Sequence, residues 1–148
     1  MLAIKPVGEY VDVKKAVEEF WSIETEDVEP FPEQRFNSRR ELTDWEYAVY
    51  LDYIYAGKVK ELLIPIPTKY LGWWHFTWEG TAYFGHQIAL LKTQIKPAME
   101  FVAIHEVGHL LGLDDHFIPL NCIMAWIPWW IVPTRFRIVC PKCQGKLE

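Results

Sequence analysis

The run His105-Glu106-Val107-Gly108-His109-Leu110-Leu111-Gly112-Leu113-Asp114-Asp115-His116 decides how the rest of the chain is read. It closes an apolar stretch that Pro97 opens, at a position where a helix tolerates proline, and that Gly112 ends. On such a helix His105 and His109 lie one turn apart, so both imidazoles project from one face and can hold one metal ion. Glu106 falls off that stripe but within reach of a water on the ion, where a carboxylate serves as general base. Val102, Ala103, Val107, Leu110 and Leu111 supply core on the remaining faces. The bland alternative is a buried helix with two hydrogen-bonded histidines. Two histidines and a glutamate in so apolar a run are costly to bury without a task, which favours the metal reading. Gly112 can adopt a left-handed conformation, ending the helix and turning the chain back toward the histidines.

Working outward, Leu2 to Lys5 reads as a short strand. Asp12 to Ile23 places Val13, Ala16, Val17, Phe20 and Trp21 at helical spacing, with Lys14, Lys15, Glu18 and Glu19 facing out. Pro30 and Pro32 interrupt the segment after it. Thr43-Asp44-Trp45-Glu46 has the form of a capping box, and Gly57 that of the terminator of the helix it opens. Leu62 to Ile66 and Ala82 to Leu91 read as strands, the first carrying Pro65 and so expected near a sheet edge. Beyond Gly112 the prolines at 119, 128, 133 and 141 leave little periodicity. The order of strands and helices is that of an α/β or α+β layer architecture with an irregular tail.

Composition narrows the function. The chain has 148 residues and half of it is apolar, enough to bury a real core. A net charge of -5 argues against a nucleic-acid binder, whose phosphate contacts need a basic face. No run has the length of a membrane span, and Met1-Leu2-Ala3-Ile4-Lys5-Pro6 has none of the apolar stretch of a signal peptide. The expectation is a cytoplasmic protein or an already processed one. Three cysteines, two of them in Cys140-Pro141-Lys142-Cys143, point to metal or redox chemistry rather than a disulfide framework.

With a glycine three residues after His109, the extended run resembles the metzincin signature. That resemblance implies a third zinc ligand six residues after His109, a place usually held by histidine and here by Asp115. Aspartate is a competent zinc ligand. The snapalysins are similar in placing one there, followed by histidine and an aromatic, as in Asp115-His116-Phe117. The competing assignment makes His116 the third ligand and Asp115 its neighbour. Downstream, Cys122-Ile123-Met124 and then Cys140-Pro141-Lys142-Cys143 make the chain resemble the archaemetzincins. In that family the zinc motif is followed at once by a cysteine, then by Cys-x-Met and Cys-x-x-Cys, and the four cysteines bind a structural zinc. His116 stands at the first of those cysteines, so the resemblance implies a Cys3His site of His116, Cys122, Cys140 and Cys143. It also implies that Met124 is the Met-turn residue, an apolar floor beneath the catalytic metal. Pro6-Val7-Gly8, Glu29-Pro30-Phe31-Pro32 and Asn37-Ser38-Arg39-Arg40 are similar to archaemetzincin sequences in a looser way.

The resemblance implies a metzincin-like mixed twisted sheet, an active-site helix and a small irregular zinc-bound C-terminal lobe. It implies one catalytic domain over residues 1–148, with subdomains 1–113 and 114–148. Two zinc ions per chain and hydrolysis of peptide bonds are expected, with Glu106 as catalytic base. In metzincins the strand before the active-site helix borders the cleft and pairs with substrate. Here that strand is Thr81 to Lys92, with Tyr83, Gly85 and Gln87 as candidate substrate-binding residues and His86 as a solvent-facing neighbour. The aromatic clusters at residues 73–78 and 126–130 are expected to fill core and lobe, with Trp126 a candidate pocket wall. Two other functions fit the same residues: a zinc-stabilised peptide-binding module without useful turnover, and a Cys-x-x-Cys redox protein.

Overall fold

The computed structural model describes residues 2–83, 87–93, 95–125 and 127–147. The protein is a mixed α/β fold around a five-stranded sheet in the order β2-β1-β3-β5-β4. β1 (Leu2–Ile4), β2 (Thr25–Asp27), β3 (Glu61–Pro67) and β5 (Ile88–Thr93) run parallel, while β4 (Gly80–Tyr83) lies antiparallel to β5 at the edge. Side chains alternate across the sheet. Leu2, Ile4, Leu63, Ala89 and Leu91 pack with α1 (Lys14–Trp21) and α3 (Lys96–Leu110) on one face. Ala3, Leu62, Ile64, Ile66, Ile88 and Leu90 pack on the other, with Leu42 and Val49 of α2 (Arg39–Val49). Burial on both faces explains the unbroken apolar run of β3.

Three local expectations are corrected. Pro65 lies in a central strand, not an edge one. The chain beyond β1 still bonds to it on one flank, Lys5 N–H to the Leu63 carbonyl and Val7 N–H to the Pro65 carbonyl, both at 3.0 Å, so only the single donor that proline lacks is lost. The cap of α2 is Ser38, not Thr43. The Ser38 hydroxyl accepts from the Glu41 N–H at 3.1 Å, and the Glu41 carboxylate accepts from the Asn37 N–H at 2.6 Å. Thr43 sits inside the helix, its hydroxyl donating to the Arg39 carbonyl. From there the chain continues in wider π turns over Tyr50–Tyr55 and ends where expected, at Gly57 with φ 77°. Residues 82–91 form not one strand but the ends of two, β4 and β5, paired antiparallel.

Pro97 opens α3 as expected, and its far end is a Schellman turn. The Gly112 N–H donates to the His109 carbonyl and the Leu113 N–H to the Gly108 carbonyl, both at 3.0 Å, with Gly112 at φ 95° and Leu113 fully buried. The tail has little regular structure apart from α4 (Pro141–Leu147), a helix that the periodicity did not signal and that Pro141 opens. Its buried residues Cys122, Ile123, Met124, Ala125, Cys140 and Cys143 join the same apolar cluster as α1 and α3. Among the described residues no helix is long and apolar enough to cross a membrane.

Candidate metal centres

The Schellman turn carries the chain past the end of α3 and back over its own histidines. His105 Nε2 lies 2.8 Å and His109 Nε2 3.1 Å from the same carboxylate oxygen of Asp115. Each imidazole is held from behind. The Ile123 carbonyl lies 3.0 Å from His105 Nδ1, and the Leu113 carbonyl 2.8 Å from His109 Nδ1. A carbonyl can only accept, so in the neutral ring Nδ1 carries the proton and Nε2 presents a lone pair. Two lone pairs and a carboxylate oxygen therefore converge on one point. That arrangement is repulsive unless a cation occupies it, either a proton or a metal ion. His109 responds accordingly: burial resists its charging, but Asp115, Glu106 and the Leu113 carbonyl outweigh burial and raise its pKa. The donor set fits a divalent ion bound through Nε2, Nε2 and carboxylate oxygen, with the outer carbonyls fixing ring orientation.

Glu106 occupies the next position on α3 and is 6% exposed, with Oε2 lacking a hydrogen-bond partner. Burial pushes its carboxyl up to about 6, with His105 and His109 pulling it down and Asp115 adding to the rise. β4 passes close beside it: a Cβ on Gly80 would lie 2.8 Å from the Leu90 carbonyl oxygen and 3.4 Å from Glu106 Cγ. Glycine at that point lets the edge strand run against Glu106.

A second cluster forms one residue further on. His116 Nε2 is 3.3 Å from Cys143 Sγ and 3.6 Å from Cys140 Sγ, and Cys122 Sγ is 3.8 Å from Cys143 Sγ. Thiolates at about 2.3 Å from a tetrahedral ion stand about 3.8 Å apart, and a thiolate and an imidazole nitrogen about 3.5 Å. These spacings are too long for disulfides, and all three cysteines are free. The four donors fit a closed tetrahedral metal shell. Burial, reinforced by the neighbouring thiols, pushes Cys143 up to about 12. Cys140 is held down, its burial outweighed by N–H groups of Cys143 and Lys142 and by the other thiols. The choice that spacing left open is thus laid out in space: Asp115 stands with the two histidines and His116 with the three cysteines.

Met124 is fully buried against α3, where a Cβ on Gly108 would lie 2.4 Å from its Sδ. The methionine's carbonyl accepts from the His116 N–H at 3.2 Å, tying the loop below one cluster to the backbone of the other.

By sequence the chain matches no family model and no curated protein. By structure it superposes on a zinc-dependent peptidase from Methanocorpusculum labreanum, with a TM-score of 0.62 and 16% identity over 100% of both chains. It also superposes on the archaemetzincin of Methanopyrus kandleri, with a TM-score of 0.58 and 16% identity over 99% of this chain and 92% of that one. The malonate complex of the Archaeoglobus fulgidus archaemetzincin gives 0.54 at 16% identity, over 98% of each chain. The fold is that of the archaemetzincins. The resemblance carried by the cysteine and methionine motifs therefore extends to the architecture of the whole chain.

Within the archaemetzincin fold the strand before the active-site helix is divided between edge and interior. Tyr83 ends the edge strand β4. Gly85 and His86 lie outside the described residues, as does Trp126. Gln87 precedes β5, and its carbonyl accepts from the Leu62 N–H at 3.0 Å, so its backbone is engaged inside the sheet. The aromatic clusters split. Trp78 is core and Trp74 packs against it, whereas Trp73 is 88% exposed. Trp129 and Trp130 line an open cleft of about 710 Å³ between α1, α3 and the tail.

Residues around the site that the sequence reading did not single out are Ile123 and Leu113, which act through main-chain carbonyls, and Phe101, Gly80 and Gly108. Only Phe101 had a usable signal: four residues before His105, it lies on the ligand face of α3, with its ring 5.8 Å from the imidazole.

Proposed function

We propose that the chain is a zinc-dependent metallopeptidase of archaemetzincin type, acting on short or unstructured peptides in the cytoplasm. The observation that carries this reading is the convergence of His105 Nε2, His109 Nε2 and the Asp115 carboxylate on one point, with both Nδ1 atoms committed to carbonyls. In the proposal those three hold a catalytic zinc, and His116, Cys122, Cys140 and Cys143 hold a second, structural one. Residues 1–148 act as one catalytic domain, with 114–148 as a small metal-stapled subdomain. Held by His105, His109 and Asp115, a zinc ion would supply Lewis acidity, polarising the peptide carbonyl and lowering the pKa of water from 15.7 to roughly 7. Glu106 accepts the proton of the attacking water on its carboxylate and then delivers it to the leaving amine nitrogen. Burial suits it to both tasks, because a carboxyl near 6 holds a proton more readily than an ordinary one. Met124 forms the apolar floor. Substrate pairs with the β4 edge through Tyr83, with Gly85 and Gln87 as further candidate contacts. Asp115 brings a negative charge where a neutral imidazole is usual, so turnover is modest and the pH optimum lies high.

The inclusion of His116 and Cys122 around the Cys140–Cys143 pair favours a metal shell over dithiol redox chemistry. The test is zinc content per chain together with cleavage of an unstructured peptide mixture, with Glu106→Gln as control. Two zinc ions and cleavage abolished in Glu106→Gln support the proposal. Two ions with no cleavage by the wild-type protein indicate a binding module. No zinc, even when it is offered in excess, defeats the metal reading.

A further inference from the structure

Arg137 belongs to neither ligand cluster, yet it is only 4% exposed. A guanidinium stays charged and carries five N–H donors in a rigid fork, so burying one demands that all five be satisfied. Here all five are spent on main-chain carbonyls of one loop. Nε donates to Val132 at 2.9 Å. Nη1 donates to Cys122 at 3.2 Å and to Ala125 at 3.1 Å. Nη2 donates to Ile127 and, at 3.3 Å, to Pro128. One side chain thus gathers the segment from 122 to 132, whose described residues have almost no regular structure of their own.

What that loop does gives the contacts their meaning. Cys122 and Ala125, both held by Nη1, flank Ile123 and Met124. The Ile123 carbonyl receives His105 Nδ1 at 3.0 Å, and Met124 packs under α3 at Gly108. A second route to the same imidazole runs through the ring of Phe101. The guanidinium lies 4.4 Å from the centroid of Phe101, whose ring is 5.8 Å from that of His105. The thiolate cluster has an independent anchor. Ile123 N–H donates to the Ile138 carbonyl at 2.8 Å and Ile138 N–H to the Asn121 carbonyl at 2.7 Å, a main-chain bridge on either side of Cys122 that does not involve the guanidinium.

We propose that Arg137 is a positioning residue of the catalytic metal centre, setting the Ile123 carbonyl and the Phe101 ring that together orient His105. It touches neither substrate nor metal. The proposal rests on the assignment of His105, His109 and Asp115 as the catalytic ligand set. Outer partners of metal-binding histidines typically govern affinity or activity by 10–100-fold, in proportion to how firmly they fix the ring.

The test uses the whole chain with its zinc-filled thiolate site, as wild type, Arg137→Lys and Arg137→Ala. Lysine keeps the charge but cannot span five carbonyls. Three quantities are read: zinc retained against a graded zinc buffer, the visible spectrum of Co2+ added to the histidine–aspartate site, and kcat and KM on a cleaved peptide. In both variants the catalytic ion is expected to be lost at about 10–100-fold higher free zinc while the thiolate-bound ion stays, and the Co2+ band is expected to shift. kcat should fall with little change in KM. Methylguanidine should partly restore Arg137→Ala, because Arg137 lines the open cleft. Unchanged zinc affinity and Co2+ spectrum in a folded variant would overturn the proposal. So would loss of both ions together with the fold in both variants, since Arg137 would then be a residue of general stability. If the wild type cleaves no peptide, hydrolysis fails as a function, and the zinc and Co2+ readings still decide the role of Arg137.

Discussion

Glycine inside a helix is ordinarily a weakness, and replacing it by alanine ordinarily stabilises by about 1 kcal/mol. Gly108 is expected to behave oppositely. An added methyl would lie 2.4 Å from Met124 Sδ, 3.3 Å from its Cε and 3.1 Å from Trp21 Cζ2. Carbon contacts settle near 3.5–4.0 Å, so the thioether must retreat by roughly 1 Å. Met124 has no exposed surface to retreat into, and Trp21 is pinned by its Nε1–H to the Ile104 carbonyl at 2.9 Å. Overpacking of this kind costs about 1–3 kcal/mol, which the helix gain of about 1 offsets only in part. Gly108→Ala should therefore lose up to about 2 kcal/mol in the wild-type background. In a Met124→Ala background the sulfur and Cε are gone and only Trp21 Cζ2 at 3.1 Å remains, so the same change should range from neutral to stabilising by up to about 1 kcal/mol. Urea unfolding of the four proteins at fixed excess zinc gives a coupling energy, expected to be about 1–3 kcal/mol. A coupling below about 0.5 kcal/mol, with Gly108→Ala stabilising both backgrounds, would refute the packing argument. Zinc retention should follow the same order, because Met124 adjoins the Ile123 carbonyl that holds His105.

Replacing Asp115 tests the ligand set: Asp115→Ala should empty the catalytic site but keep the thiolate-bound ion, whereas Asp115→His should raise both zinc affinity and turnover. No effect of either on zinc binding would remove Asp115 from the assignment. Chelation should convert three thiols from unreactive to titratable, and Cys140→Ser should lower zinc content by one ion while leaving His105 and His109 able to bind; reactive thiols in the zinc-loaded protein would contradict the closed shell. Glu46 is 1% exposed, and burial first, then the charge on Glu106, pushes it up to about 8. Because its folded pKa exceeds the ordinary 4.5, the folded state binds the proton more tightly, so this stabilisation is complete below that value and is lost as pH rises through about 8. Glu46→Gln should therefore lose less stability than wild type between about pH 5 and pH 9 in parallel denaturation series, and equal losses would show that the buried carboxyl is not responsible.

The helix of the two histidines is legible in the sequence because everything that fixes it is local. The proline, the spacing of four and the glycine that must turn left-handed all lie between residues 97 and 112. The cap of α2 shows where local pattern is insufficient. Ser38-x-x-Glu41 and Thr43-x-x-Glu46 satisfy the same rule, and what separates them is tertiary: Leu42, Glu46 and Val49 form the buried stripe, so Glu46 cannot turn back to the backbone. Pro65 misleads for a related reason. One missing donor is tolerated in an inner strand whose flanking bonds, Lys5 N–H to Leu63 and Val7 N–H to Pro65, are kept. Nor does any pattern in residues 82–91 announce a reversal, since both strands contribute apolar residues to a sheet covered on two faces. Arg137 lies further still from legibility, because its partners are carbonyls, which every residue possesses.

The choice between Asp115 and His116 differs in kind from these. Two adjacent donors just beyond such a turn cannot be ranked by spacing, yet extended backbone sends successive side chains to opposite sides. His116 is held in extended pairing with Ala125, its N–H donating to the Met124 carbonyl at 3.2 Å. That bond fixes the register of the whole strip. A slip by one residue would send a carboxylate toward three cysteines and an imidazole toward two histidines, so both clusters change donor set together or not at all. The long-range contact that decides the pair is therefore made by the loop bearing Met124. The same loop supplies the Ile123 carbonyl to His105 and the Cys122 thiol to the second cluster. On this reasoning the Met124 carbonyl fixes which residue joins each donor cluster, while its side chain packs against α3 at Gly108. Substitutions that displace its carbonyl should perturb both sites, whereas substitutions confined to its thioether should perturb only the histidine site.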